Sequence, residues 1–332
     1  DYKRLTWEES WDVKWQVAPV EPHKLPHLVA PSEQMGTLSA SAAQALGLTQ
    51  GLPVIAAAAD KACEVLGAGC TRNDQACLSF GTSATINVTH SKYVEPQKFV
   101  PPFPAALKKH YTSEVQIYRG FWMVSWFKQE FAHLERQQAT VLGIAVEQQL
   151  DDLIKNIPAG SMGLMLQPYW SPGVKRPGAE AKGAVIGWGD VHTRAHFYRA
   201  LIEGLIYGLR DGKEQIERAS GTPITTLRVA GGGSQSREAM QMTADIFNQA
   251  AVRPHIYETS ALGAAINGAV GLGLYDGYTS AVKAMTHTGE AFTPRPEAHA
   301  VYDALYTQVY RKMYNNLQPF YEAIRDITGY PA

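Results

Sequence analysis

Runs of apolar residues alternate with segments of helical periodicity along most of the chain. One apolar run predicts a strand over 226–230, and the segment 236–248 that follows it has the spacing of a helix. Earlier, the continuous apolar run 53–59 predicts a buried strand. The pattern over 193–219 predicts a long helix with Thr193 as its N-cap. Strands that alternate with helices indicate an α/β domain.

A glycine-containing turn separates two short apolar segments in the first half of the chain. Residues 77–80 and 85–88 have the pattern of a β-hairpin, and Gly81, Thr82 and Ser83 connect them. The backbone N–H groups and the two hydroxyls of such a turn could surround phosphate oxygens. An ordinary hairpin turn explains the same residues without a ligand.

A second turn, between the predicted strand 226–230 and its helix, contains Gly231, Gly232 and Gly233. Glycine has no Cβ, so the backbone here can come into contact with a ligand. The N–H groups at the start of the next helix favour an anion. The turn has neither the Gly-Lys-Ser/Thr ending of a Walker A loop nor the G-x-G-x-x-G pattern. A nucleotide bound by another scheme is therefore the first candidate ligand.

Asp60 follows directly after the apolar run 53–59. A carboxylate at the C-terminal end of a strand lies where open α/β sheets bind ligands. It could accept a proton from an attacking hydroxyl. The same position suits an N-cap of a helix that continues to Gly67, and position alone favours the cap. The two roles are compatible.

Composition and charge narrow the range of partners. Of the 332 residues, 45% are hydrophobic and 18% are charged, as in soluble proteins. The formal net charge is -1, which gives no support for binding to nucleic acid or to a membrane. Cys63, Cys70 and Cys77 lack zinc-site spacing and are too few for a disulfide scaffold. The sequence shows no signal peptide and no transmembrane run. Buried thiols in a reducing compartment are therefore expected, and the predicted location is the cytoplasm. His192 and His196 favour a capping or surface role over a metal site.

Together, the order of these motifs resembles the FGGY family of carbohydrate kinases. Each motif is weak alone, but they follow the family's order and approximate spacing from Trp11 to about Tyr275. The matching segments are Gly51-Leu52-Pro53-Val54 leading to Asp60, Gly67-Ala68-Gly69, Leu78-Ser79-Phe80-Gly81-Thr82-Ser83, Pro168-Tyr169-Trp170, Arg199-Ala200 to Glu203-Gly204, Gly231-Gly232-Gly233, Ala244-Asp245 and Ala261-Leu262-Gly263-Ala264-Ala265. Close helix–sheet packing also explains the last, small-residue run.

The resemblance implies the ribonuclease H-like, actin-type ATPase fold, in which two α/β domains enclose a nucleotide cleft. The family's first phosphate loop, Asp-x-Gly-Thr or Asp-x-Gly-Ser, is absent from this sequence. We therefore expect residues 1–70 to be the tail of the N-terminal, sugar-binding domain. Residues 71–332 are expected to form the C-terminal, nucleotide-binding domain of a chain that lacks most of the first domain.

The resemblance also implies an activity, which is ATP-dependent phosphorylation of a sugar hydroxyl. A ketopentose such as xylulose or ribulose is the expected sugar, and a homodimer the implied assembly. Asp60 matches the catalytic base and would also contact the Mg²⁺ that accompanies ATP. The residues that match nucleotide contacts are Gly81, Thr82 and Ser83 in the second phosphate loop, Gly120 by a looser match, and Gly232, Gly233 and Ser236.

Two other functions stay open at this point. The chain alone could be a non-catalytic nucleotide-binding or interaction module, because the first phosphate loop is absent. An actin-like or chaperone ATPase would share the cleft. The segment from Gly51 to Asp60 argues against that class, because those ATPases resemble the FGGY family only in fold.

Overall fold

The structure, a computed structural model, describes residues 1, 3–174 and 176–330. The strands are β1 (Gln34–Thr37), β2 (Pro53–Ile55), β3 (Gln75–Phe80), β4 (Ala84–His90), β5 (Phe103–Pro104), β6 (Tyr111–Ile117), β7 (Met165–Gln167), β8 (Ala184–Ile186), β9 (Thr226–Ala230), β10 (Ala251–Pro254) and β11 (Thr288–Phe292). Short 3₁₀ helices cover Pro22–Lys24, Ser161–Gly163 and Gly232–Gln235, and a π-helix covers Tyr306–Tyr310.

The α-helices are α1 (Lys14–Val17), α2 (Ala40–Leu46), α3 (Asp60–Gly67), α4 (Trp122–Phe131), α5 (His133–Leu142), α6 (Val146–Ile154), α7 (Arg194–Ser220), α8 (Arg237–Phe247), α9 (Thr259–Gly271), α10 (Tyr278–Met285), α11 (Pro296–Leu305) and α12 (Arg311–Thr328). Among the described helices, none combines the length and the hydrophobicity that crossing a bilayer requires.

Two compact units share the chain, and their segments interleave along the sequence. The first unit comprises Asp1–Asn73, Val88–Ser113 and Glu258–His287, and the second comprises Asp74–Asn87, Glu114–Tyr257 and Thr288–Ala332. The chain passes from one unit to the other within β4 and within β6. The domain boundary between residues 70 and 71 remains a prediction.

In the first unit, helices α3 and α9 cross at two glycines. A Cβ at Gly67 would lie 1.9 Å from the carbonyl oxygen of Thr259, and one at Gly263 would lie 1.9 Å from that of Cys63. No other residue fits at such distances, so glycine sets the separation of the two helices. The sequence predicts helix–sheet packing for the small-residue run 261–265, but the run packs against a helix.

The strand predicted over 53–59 is wrong in length and in burial. Only Pro53–Ile55 form β2, which pairs antiparallel with β1 and is exposed or half-buried. A two-stranded sheet cannot bury both faces of its strands, so this apolar run does not become a central strand. The chain then reaches Asp60 without further strand structure, and α3 begins there.

The second unit is built on a mixed sheet, in which β11 is followed by β10, β9, β3, β4 and β6. β9 pairs parallel with both β3 and β10, whereas β10 and β11 are antiparallel. The hairpin predicted from 77–80 and 85–88 is confirmed as β3 and β4, and the strand predicted over 226–230 is confirmed as β9. In the first unit, β5 pairs antiparallel with the beginning of β6.

The long helix predicted over 193–219 is confirmed as the 27-residue helix α7. Thr193 is its N-cap residue, and its N–H donates to Nδ1 of His196 at 3.2 Å as part of a capping box. Gly221 ends the helix with a φ of 69°. The predicted capping role of His196 is therefore also confirmed.

Candidate active site

The two glycine-containing turns follow adjacent parallel strands of the second unit. β3 leads into residues 81–83 and β9 leads into residues 231–235, with Ser79 and Ala230 in register near the strand ends. Because parallel strands end at the same edge of a sheet, the two turns lie side by side. This is the edge at which open α/β sheets bind ligands.

The first turn has two hydroxyl groups that no atom of the described residues contacts by a hydrogen bond. The N–H of Gly81 donates to the carbonyl of Ser83 at 3.1 Å, which closes the turn. Thr82 is exposed and Ser83 is half-buried. Within the described residues, their hydroxyls form no hydrogen bond, so both are available to a ligand.

The backbone just before α4 supports this turn. The N–H of Gly120 donates to the carbonyl of Thr82 at 2.9 Å, and the N–H of Phe121 donates to that of Gly81 at 3.0 Å. A Cβ at Gly120 would lie 1.9 Å from the backbone nitrogen of Ala84, so this approach requires glycine. Gly120 thus holds the turn in place, and its predicted contact with nucleotide stays a prediction.

The three glycines of the second turn have different surroundings. A Cβ at Gly231, whose φ is 83°, would lie 2.9 Å from the carbonyl of Phe80. At Gly233 it would lie 2.5 Å from Cδ1 of Phe121, whereas at Gly232 it would meet nothing within 4 Å. Packing therefore explains Gly231 and Gly233. Gly232 faces open space, as a ligand contact requires.

Ser236 caps α8 and also binds a carboxylate. Its Oγ accepts from the N–H of Ala239 at 3.1 Å and donates to Oδ1 of Asp151 at 2.5 Å. The other oxygen of Asp151 accepts from the N–H of Arg237 at 2.9 Å. The free N-terminus expected for α8 is therefore occupied by the side chains of Ser236 and Asp151. This part of the sequence interpretation is wrong, because a carboxylate from another helix already fills the anion position.

Asp151 was not identifiable as a partner of this turn from its position in the sequence. Burial raises the pKa of its carboxyl, and the hydrogen bonds from Ser236 and from the backbone oppose that rise. The one available signal is that Asp151 shares a face of α6 with the buried residues Leu150 and Ile154. An acid on an apolar helix face requires a polar partner, although the sequence does not say which.

Asp60 lies in the first unit, at the first position of α3. Its side chain is exposed, and Oδ1 accepts from the N–H of Lys61 at 2.7 Å. Oδ2 has no partner among the described residues. Ala59 is the N-cap residue, so the predicted cap is wrong by one position, although Asp60 does satisfy a first-turn N–H. Ser260 Oγ donates to the carbonyl of Asp60 at 3.2 Å and ties the start of α3 to α9.

A magnesium ion fits an exposed carboxylate of this kind. Among the described residues, no three His, Cys, Asp or Glu side chains form a cluster that could hold a metal ion. Mg²⁺ keeps several of its waters and binds through one or two carboxylates together with substrate phosphates. The free oxygen of Asp60 therefore suits Mg²⁺ carried by a nucleotide, and does not suit a metal held by the protein alone.

Comparisons with known proteins agree with this fold. The model of the C-terminal domain of the FGGY family of carbohydrate kinases matches residues 76–272. A xylulose kinase from Lactococcus lactis is 31% identical over 299 residues, 88% of this chain and 56% of that protein. A gluconokinase from Bacillus subtilis is 28% identical over 91% of this chain and 58% of that protein.

A solved structure shows the same architecture. The crystal structure of xylulose kinase from Rhodospirillum rubrum superimposes with a TM-score of 0.77 and 29% identity, over 92% of this chain and 60% of that one. The chain thus spans less than two thirds of the length of these relatives. The predicted ribonuclease H-like, actin-type ATPase fold is confirmed, and the chain belongs to the FGGY family of carbohydrate kinases.

Proposed function

We propose that the protein carrying this chain is an ATP-dependent sugar kinase whose second unit binds the triphosphate at its two glycine-containing turns. The observation that supports this most directly is the position of both turns at one edge of the sheet, after adjacent parallel strands. Membership of the FGGY family supports a sugar as the acceptor.

The turns would bind phosphates through neutral groups. The hydroxyls of Thr82 and Ser83 are free to donate, and the backbone at Gly232 is open to a ligand. Phosphoryl transfer needs positioning and charge neutralisation more than covalent help from the protein. Backbone N–H groups of glycine turns form anion-binding concavities, and Mg²⁺ bound with ATP neutralises further phosphate charge.

Asp60 is the proposed general base. Its free Oδ2 would take the proton from the sugar hydroxyl as that oxygen attacks the γ-phosphorus, while the bond from the γ-phosphorus to the bridging oxygen breaks and ADP leaves. A positioned base contributes roughly 10²–10⁴-fold to the rate. The same carboxylate would contact Mg²⁺, either directly or through water.

Replacement of Asp60 tests this assignment. In the protein that carries this sequence, Asp60→Asn is expected to lower kcat by about 10²-fold or more, since the amide cannot accept the proton. ATP affinity, measured by calorimetry, should stay within about twofold of the parent. Asp276→Asn is the matched control, because Asp276 is another exposed aspartate of the first unit. Unchanged turnover in Asp60→Asn would refute the proposed base.

The sugar is proposed as a ketopentose because relatives named xylulose kinase are among the matches. A panel of xylulose, ribulose and gluconate separates this proposal from the gluconokinase relative. The highest kcat/KM with a ketopentose supports it, and the highest kcat/KM with gluconate rejects it. A cytoplasmic location and a homodimer remain proposals, and light scattering of the purified protein tests the second.

A further inference from the structure

The two glycine-containing turns share one aromatic contact. The rings of Phe80 and Phe121 stack with their centroids 4.2 Å apart and their planes inclined by 18°. Both side chains are buried. Phe80 is the last residue of β3, and Phe121 immediately precedes α4, so the stack lies where the first turn meets its backbone support.

Phe121 touches both turns with different parts of the residue. Its N–H donates to the carbonyl of Gly81 in the first turn at 3.0 Å. Its ring lies against Gly233 of the second turn, where an added Cβ would be 2.5 Å from Cδ1 and 2.8 Å from Cε1. Phe80 also packs against Gly233, because the added Cβ would lie 2.9 Å from the Cβ of Phe80.

We infer that Phe121 is a positioning residue that sets the distance between the two turns, so that one triphosphate can contact both. This inference rests on the proposed function. Two separate backbone turns can hold one chain of phosphates only at a fixed spacing, and small displacements of positioning groups weaken catalysis strongly. The ring of Phe121 stacks on Phe80 and lies so close to Gly233 that a Cβ there would be 2.5 Å from Cδ1.

A merely structural role for Phe121 makes a different prediction. Phe127 lies in α4 and is fully buried. Its ring packs with those of Phe131, Phe197 and Tyr198, none of which belongs to either turn. If Phe121 only filled the core, replacing either Phe121 or Phe127 would lower the thermal stability. The two variants would then have the same affinity for the nucleotide.

Calorimetry with a non-hydrolysable ATP analogue and Mg²⁺, together with thermal unfolding, separates the two roles. Phe121→Leu is expected to weaken binding about tenfold, and Phe121→Tyr, which keeps the ring, should bind like the parent. Phe127→Leu should lose comparable thermal stability and bind within about twofold of the parent. Equal affinities for Phe121→Leu and Phe127→Leu would overturn the inference.

A pair of substitutions tests the ring contact itself. Gly233→Ala adds a methyl group that collides with the Phe121 ring, so it should weaken binding, and adding Phe121→Ala removes part of that collision. The double variant Phe121→Ala/Gly233→Ala should therefore lose less affinity than the two single losses multiplied. If the affinity loss of the double variant equals the product of the two single losses, the inference is contradicted.

The proposed function and this inference fail in distinguishable ways. If the parent chain binds no nucleotide, the proposed function is wrong and the inference falls with it. If the parent binds and Phe121→Leu binds equally well, the inference alone is wrong. If Phe121→Leu does not fold, the role of Phe121 can still be tested with Phe121→Tyr and Gly233→Ala, and with Phe127→Leu as the control. Unchanged affinity in Gly233→Ala would contradict the proposed role.

Discussion

Gly232 differs from its two neighbours in having open space where a Cβ would stand. Gly231 and Gly233 pack against Phe80 and Phe121, which explains why they are glycines without any ligand. Gly232 has no such contact and no positive φ that would require glycine. The three consecutive glycines therefore differ in role: packing requires Gly231 and Gly233, but it does not require Gly232.

Gly232→Ala should therefore leave the fold intact and weaken ATP binding about tenfold, because the methyl group would occupy the position proposed for the ligand. Calorimetry gives the affinity, and circular dichroism checks the fold. Gly268→Ala, in α9 of the other unit, is the control, since a Cβ there also meets nothing within 4 Å. Parent-like ATP affinity in Gly232→Ala would remove this residue from the proposed site.

A single buried histidine, His90, makes the stability of the fold depend on pH. The residue ends β4 and is buried, and its Nε2 has no hydrogen-bond partner in the part of the chain that the structure describes. Burial lowers its pKa from 6.5 to about 4. Between those values the unfolded chain binds a proton that the folded chain does not. Stability is therefore full above pH 6.5 and falls as the pH drops towards 4.

The expected contribution is a loss on the order of 2 kcal/mol in the free energy of unfolding between pH 7 and pH 5. Urea denaturation of the parent and of His90→Gln at both pH values measures it. The loss should be smaller in His90→Gln, which has no group to titrate there. The same loss in both proteins would show that His90 is not its source.

At the scale of elements, the crossing of α3 and α9 determines where Asp60 lies. The two helices meet at Gly67 and Gly263, and Ser260 at the start of α9 bonds the carbonyl of Asp60. A change in their separation would move the N-terminus of α3, and the carboxylate with it.

Gly263→Ala is therefore expected to lower the free energy of unfolding by about 1–3 kcal/mol, the range for overpacked sites, because the new methyl group meets backbone atoms. Urea denaturation measures the loss. Gly268→Ala, on the same helix but in open space, should be neutral or stabilising by up to about 1 kcal/mol. Equal stability of the two variants would contradict the close crossing.

Local signals made part of the fold predictable. Thr193 and Gly221 mark both ends of α7, and the hairpin around 81–83 follows from two apolar segments and a tight turn. The exposure of 53–55 was not predictable, because burial of an apolar strand depends on how many strands lie beside it, and β2 has only β1. Asp151 was missed for a similar reason, since its partner Ser236 lies 85 positions away in the sequence.

At the scale of the whole molecule, the predicted site residues divide between the two units. Asp60 belongs to the first, and the second contains the residues matched to nucleotide contacts, which are 81–83, Gly120, Gly232, Gly233 and Ser236. The order of motifs along the chain predicted the family, because each motif keeps its spacing from the next.

We propose that both glycine-containing turns contact the nucleotide, and amide hydrogen exchange reports on the two turns in one experiment. Exchange is measured on this chain with and without a non-hydrolysable ATP analogue and Mg²⁺. Nucleotide contact at both turns should slow exchange in peptides that cover 80–84 and 231–236, and leave 311–328 of α12 unchanged. Binding of the analogue that protects other segments and leaves both turns unchanged would contradict it.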